Sequence, residues 1–170
     1  MDPLILPVLK VDSLFTVNEE SEFWMCAIIV NVIGDWWYHA CSICDSHMVQ
    51  QGLVFECPTC QQIYNDGILR YKLQLEVIDT SANASIVLYD QVAENLVGIS
   101  CHDLRFQFFE ERKKFQELPD QLERLIDRTL LFRVTVRNHQ VHKPMSVFNV
   151  SNFEDDPNLI SQHDQFTRET

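Results

Sequence analysis

The chain has 170 residues, 46% of them hydrophobic, enough to bury one sizeable core and to point to one domain. A formal net charge of -12 argues against coating nucleic acid through bulk positive charge and leaves any such role to local patches. The longest apolar run, MCAIIVNVI, stops at Gly34 and Asp35, short of the ~18 residues that cross a bilayer, so no membrane is expected as a partner.

In chain order, residues 1–20 read as an N-terminal extension. MDPLILPVLKVDSLF is interrupted by Pro3 and Pro7 and has neither a basic n-region nor a small-residue cleavage site, so it does not read as a signal peptide. An intracellular setting with reduced thiols is the expectation. Residues 22–33, EFWMCAIIVNVI, form a nearly continuous apolar run, as a buried first strand would.

Then comes WWYHACSICDSHMVQQGLVFECPTCQ. Cys41 and Cys44 form one C-x-x-C pair and Cys57 and Cys60 a second, with twelve residues between. Each pair can place two thiolates on one side of a tetrahedral ion, and Gly52 followed by Leu53, Val54 and Phe55 suggests a hairpin between them. The spacing predicts a zinc ribbon over about 36–67 with one structural Zn2+. A redox C-x-x-C normally stands beside a βαβ pattern, and none is visible. Four protein thiolates also leave no open coordination position for hydrolytic chemistry. His39 and His47 flank the first pair and read as surface histidines; Cys26 and Cys101 read as small buried residues.

Beyond the ribbon the pattern is mainly β. RYKLQLEVID, 70–79, puts Tyr71, Leu73, Leu75 and Val77 inward and Arg70, Lys72, Gln74 and Glu76 outward. SIVLYD, 85–90, is a third strand. DQVAENLV, 90–97, predicts a short helix capped by Asp90 and ended by Gly98, and PDQLERLIDR, 119–128, predicts a second. TLLFRVTVRN points Phe132, Val134 and Val136 inward and Arg133 and Arg137 outward; MSVFNVSNF is a fifth strand. Five strands, a helix after the third and a ribbon after the first suggest a five-stranded Greek-key barrel of the OB type, with short helices.

The order EFWMCAIIVNV, WWYHAC-x-x-C, FEC-x-x-C, RYKLQLEVID and IVLYDQVAENLVGISCHDL closely resembles the C-terminal DNA-binding domain of the large subunit of replication protein A, its plant relatives in particular. The resemblance covers about 21–150. It implies an OB barrel with an inserted zinc ribbon, single-stranded DNA binding, Cys41, Cys44, Cys57 and Cys60 as zinc ligands, and a nuclear setting in replication, repair, recombination or telomere maintenance.

A single-strand site needs cations and aromatic faces. Val11 to Leu69 contains no Lys or Arg, whereas residues 70–143 hold eleven basic and eleven acidic residues. Arg70, Lys72, Arg133 and Arg137 are the candidate phosphate contacts, expected to line one groove if their strands share a face. Tyr89, Trp36, Trp37 and Phe55 are the stacking candidates, and Lys143 with two histidines makes the loop NHQVHKP, 138–144, weakly basic. EERKK, 110–114, reads as a solvated face. The acidic tail, 151–170, has Pro157 at a helix start and a thin stripe of Leu159, Ile160 and Phe166, which argues for a flexible or short docking segment rather than a heterotrimer-forming helix. No acid/base pair, nucleophile motif or phosphate loop stands out, so neither an enzyme nor a small-molecule substrate is expected. The two functional readings are a single-stranded DNA-binding module and an OB-fold subunit or adaptor that binds protein partners.

Overall fold

A computed structural model describes residues 5–110 and 118–164, the side chains of 109 and 110 excepted. The first strand, β1 (Ser21–Ile33), is long enough to serve two neighbours. Its first half pairs with β8 (Thr129–Val136), from Ser21 opposite Val136 to Ile28 opposite Thr129. Its second half pairs with β6 (Ile68–Ile78), from Ile28 opposite Ile78 to Ile33 opposite Gln74, across a bulge between Ile29 and Asn31. That change of partner lets one strand turn the corner of a barrel. β6 then pairs with β7 (Asn83–Tyr89), β7 runs parallel to β9 (Val147–Glu154), and β9 returns to β8. The closed order, with its single parallel pair, is the OB arrangement expected from the pattern.

Alternation decides what each strand buries. Tyr71, Leu73, Leu75 and Val77 are all buried, as are Phe132, Val134 and Val136 on β8. The interior is closed by α2 (Asp90–Val97) through Ala93 and Leu96, and by α3 (Cys101–Glu110) through Cys101 and Leu104. Helix α2 ends where Gly98 adopts φ 87°, a left-handed turn that costs glycine little. Asp90, expected as the cap, is instead the first helical residue, at φ 48°, and Tyr89 holds the cap position without a side-chain cap bond. α3 was not expected: Cys101, Leu104 and Phe108 stand at helical spacing, but Phe106, 61% exposed on the opposite side, blurs the stripe. The helix expected over 119–128 is shorter, α4 (Asp120–Glu123). The chain after it is drawn to β1, where Asp127 N–H donates to the Ile29 carbonyl at 2.7 Å and Ile29 N–H to the Arg128 carbonyl at 2.9 Å.

Both termini of the described chain pack onto the barrel. Val8 bridges to Trp24, and α1 (Ser13–Thr16) buries Leu14 completely. At the other end β9 runs to Glu154, and α5 (Pro157–His163) starts as its Asp-Pro predicts, with Asp156 Oδ1 accepting from Asn158 N–H at 2.9 Å. Leu159 and Ile160 cover Trp24, Cys26 and Leu131 on the outer wall of β1 and β8. The segment up to 164 is thus a docked helix rather than a flexible tail. Phe166 and the EERKK run from 111 onward lie outside the described residues. Among the described residues no helix is long and apolar enough to cross a membrane.

The N-terminal segment is tied down by Asp79, only 8% exposed. Burial alone would push its carboxyl up. Hydrogen bonds from the Ser81 hydroxyl and from the N–H groups of Val11, Ser81 and Ala82 outweigh that and hold it below its ordinary range. A carboxylate depressed in the folded state stabilises above its unfolded pKa, and the contribution is lost as pH falls through the folded value, below about pH 4. Asp79→Asn is expected to cost about 1–3 kcal/mol at neutral pH, read by urea unfolding, and to flatten the acid limb of the stability curve.

Candidate metal centre and nucleic-acid interface

Between β1 and β6 the chain makes β2 (Trp37–Ala40) and a separate three-stranded sheet of β3 (Val49–Gln51), β4 (Val54–Cys57) and β5 (Gln62–Tyr64). The two cysteine pairs form matching turns. Asp45 N–H donates to the Cys41 carbonyl at 2.9 Å and Gln61 N–H to the Cys57 carbonyl at 2.8 Å, with Asp45 at φ 64° and Gln61 at φ 58°. Inside each turn an amide points at the first sulfur: Ile43 N–H at Cys41 Sγ, 3.4 Å, and Cys60 N–H at Cys57 Sγ, 3.3 Å.

The four sulfurs of Cys41, Cys44, Cys57 and Cys60 lie within 4.8 Å of one another, with Cys41 to Cys60 at 3.9 Å and Cys44 to Cys57 at 3.4 Å. Four thiolates at ~2.3 Å around a tetrahedral ion would stand about 3.8 Å apart, so the set fits one metal ion. Without an ion the thiols share protons unequally: hydrogen bonds from Ser46 draw the Cys44 thiol down to about 6, whereas the hydrogen bond with Cys44, and then burial, push Cys60 up to about 12. His39 stacks on Phe55 with ring centroids 4.4 Å apart, and neither it nor the exposed His47 belongs to the sulfur cluster.

The ribbon is fastened to the barrel by its entry strand. β2 pairs with the start of β6, Trp37 opposite Tyr71 and Tyr38 opposite Arg70. On the inner side Trp36 is 3% exposed and packs beside Tyr71, with the Arg105 guanidinium 3.9 Å over the Trp37 ring. On the outer side Tyr38 Oη donates to Asp90 Oδ1 at 2.9 Å, and Arg70 pairs with Asp45 at 2.6 Å. Burial and then the Asp90 bond push the Tyr38 phenol well above its ordinary range, so it remains a donor. Gly67 sits at the ribbon's exit, where a Cβ would collide with the Met48 side chain.

These attachments leave a groove of about 620 Å³ between ribbon and barrel, lined in part by Trp37, Tyr38, His39, His47, Lys72 and Gln74. Lys72 stands opposite Tyr89 on β7, and the rings of Tyr38 and Tyr89 meet edge to face at 6.2 Å. Arg70, Lys72 and Tyr89 are therefore brought together, with Tyr38 among them. Burial, followed by the Arg105 and His47 charges, lowers the His39 pKa, so that ring carries no charge at neutral pH.

The other expected residues are elsewhere. Trp36 belongs to the barrel core and Phe55, 9% exposed, to the ribbon core with Met48, so neither presents a face for stacking. Arg133 and Arg137 do not share a groove with Arg70 and Lys72. β8 is separated from β6 by β1 on one side and by β9 and β7 on the other, and outward side chains on a closed barrel diverge. Arg133 is ion-paired with Glu22, and Arg137 caps the 3-10 turn of Asn138–Gln140. Lys143 is exposed in the loop before β9, beside the start of β7, whereas Tyr89 is at its end. Sequence reasoning missed Tyr38 and Arg105; the alternation of WYHA in β2 carries the signal for Tyr38, while nothing local marks Arg105.

Comparison with known proteins gives a consistent result. The chain is 27% identical over 105 residues to a 70 kDa DNA-binding subunit of replication protein A from Arabidopsis thaliana, across 61% of this chain and 16% of that protein. It is 32% identical over 69 residues to a 70 kDa DNA-binding subunit of replication protein A from Oryza sativa subsp. japonica, across 40% of this chain and 11% of that protein. The chain thus spans a small fraction of these relatives. Among solved structures, a replication protein A heterotrimer bound to ssDNA aligns with TM-score 0.73 at 17% identity, over 93% of this chain and 38% of that one. Yeast replication protein A bound to ssDNA aligns with TM-score 0.64 at 18% identity, over 91% and 90%. At those identities the likeness speaks for the OB fold. The model of the replication factor-A C-terminal domain matches residues 23–155, the barrel together with the cysteine cluster, and the chain belongs to that family.

Proposed function

We propose that this chain is a single-stranded DNA-binding domain of the replication protein A type, with its ribbon held by one structural zinc ion. The observation that carries this is the surface where ribbon meets barrel: Tyr38 and Lys72 line a groove, with Tyr89 opposite Lys72 and edge to face with Tyr38, and Arg70 opposite Tyr38. Base faces stack on aromatic rings and phosphates follow the cations, and a strand needs both within one or two nucleotides. Zinc is the ion favoured by four cysteine thiolates. With every coordination position filled by protein it would act as a brace, holding β2 and the first turn where Tyr38 and Asp45 face β6.

Titrating the chain with thirty-nucleotide oligo-dT and following fluorescence anisotropy tests the reading. Binding is expected at low salt and should weaken as salt rises, with a shallow slope of about 1–2 on logarithmic axes, since few cations line the groove. No binding at low salt would sink it. A second reading, a subunit or adaptor that binds protein partners, is favoured by the absence of Lys and Arg from Val11 to Leu69. It becomes the better account if oligo-dT fails. Work in the nucleus, in replication or repair, goes with the first reading and is checked by imaging the tagged full chain.

A further inference from the structure

The ion pair between Arg70 and Asp45 joins a cation of the proposed strand site to the metal turn, and it bears on how that site is regulated. Arg70 rises from β6 opposite Tyr38, and its Nη2 lies 2.6 Å from Asp45 Oδ1. Its Nε is buried and makes no hydrogen bond. The backbone of Asp45 is held by the turn itself, by φ 64° and the bond to the Cys41 carbonyl, and its side chain is 71% exposed. Nor does the turn need a carboxylate, because Gln61 holds the same place in the second turn at φ 58° with the same return bond to Cys57. What the charge does is occupy the guanidinium.

We propose that Asp45 is a built-in competitor for strand phosphate: it holds Arg70 in the free protein, and a bound strand must displace it. This rests on the strand-binding reading above. An exposed pair of this kind contributes little to stability, whereas a guanidinium and a phosphate can form two parallel charge-assisted bonds, so the exchange is favourable but discounted. The consequence is a threshold. A strand that places a phosphate at Arg70 while bases reach Tyr38 and Tyr89 binds; an anion arriving without stacking meets a cation already neutralised.

The test compares the full chain with D45N, with D45Q and with R70A, each checked for one equivalent of metal, on thirty-nucleotide oligo-dT across a salt series. Asn tolerates a left-handed backbone and Gln copies the second turn. Removing the carboxylate is expected to tighten binding roughly two- to fivefold, because the strand no longer has to displace it, and to leave the logarithmic salt slope nearly unchanged, since Arg70 meets phosphate in either complex. In an R70A background the gain should vanish. Unchanged affinity in both Asp45 variants, with the wild type still binding, overturns this proposal alone. An equal gain in the R70A background overturns it too, because the effect is then general repulsion. Loss of metal from both Asp45 variants makes the carboxylate structural and likewise overturns it. No binding by wild type and variants alike removes the strand-binding reading and this one with it.

Discussion

Stripping the metal, with a strong chelator or by Cys57→Ala, is expected to dissolve the ribbon and leave the barrel standing. Apart from its cysteines, the ribbon's buried cluster consists of Met48 and Phe55, with Tyr64 packed at its edge. That is far too little apolar surface to order some thirty residues against ~1–2 kcal/mol of backbone entropy each. On the zinc reading proposed above, coordination supplies the difference, since structural zinc sites contribute about 10–16 kcal/mol in apparent terms. The barrel's own cluster, which includes Phe23, Tyr71, Phe132 and Phe148, is distinct from that of the ribbon. Amide hydrogen exchange should show residues near 41–64 losing protection while β6 and β8 keep theirs, and oligo-dT affinity should fall by at least tenfold as Tyr38 loses its support. Elemental analysis should find one zinc per chain. A reduced, folded sample holding no metal would refute the ribbon's dependence on it. Because the ligands must shed protons, affinity for the ion should also decline as the solution is acidified.

The second large effect concerns stacking. Tyr38→Ala and Tyr89→Ala should each weaken binding to oligo-dT by roughly 5- to 100-fold, the ~1–3 kcal/mol per base that aromatic platforms contribute. Tyr38→Phe separates the two uses of that residue, since it keeps the ring and loses the bond to Asp90. It should retain most of the affinity, whereas a loss equal to that of Tyr38→Ala would make the phenol a brace rather than a platform. Lys72→Ala should flatten the salt slope by about 0.7, as expected when one phosphate contact disappears from a single strand. Arg133→Ala is the comparison: its guanidinium already pairs with Glu22 on another wall, and the change should be under about twofold.

Those contrasts show where reading residues in order succeeds and where it stops. The face of β6 was legible because one side of that strand is buried and the other wet, and a period of two survives any detail of topology. The ribbon was legible for a different reason: thiolate chemistry tolerates few spacings. Which wall an outward residue occupies is another matter. Arg70 and Arg133 look alike along their strands, and only barrel closure, decided by pairings such as Ser21 with Val136, places them apart. Trp36 and Phe55 were misplaced as stacking faces because an aromatic side chain serves equally well in a core. Helix α3 was missed since its burial comes from Cys101 and Leu104 meeting the barrel, while Phe106 faces outward and blurs the period.

The divided pairing of β1 has a further consequence, for the time order of assembly. Joining Ser21 to Val136 closes a loop of more than a hundred residues, and that entropy must be met before any contact between β1 and β8 rewards it. The four clustered cysteines, by contrast, fall within Cys41 to Cys60, and the proposed ion could gather them as soon as that stretch exists. Metal binding should then come early and barrel closure late. Refolding from denaturant should show a fast phase that depends on zinc concentration, followed by a slower one that does not. Until that second phase is complete, β1 presents one half of its edge unpaired, and a chain delayed there is the form most exposed to aggregation.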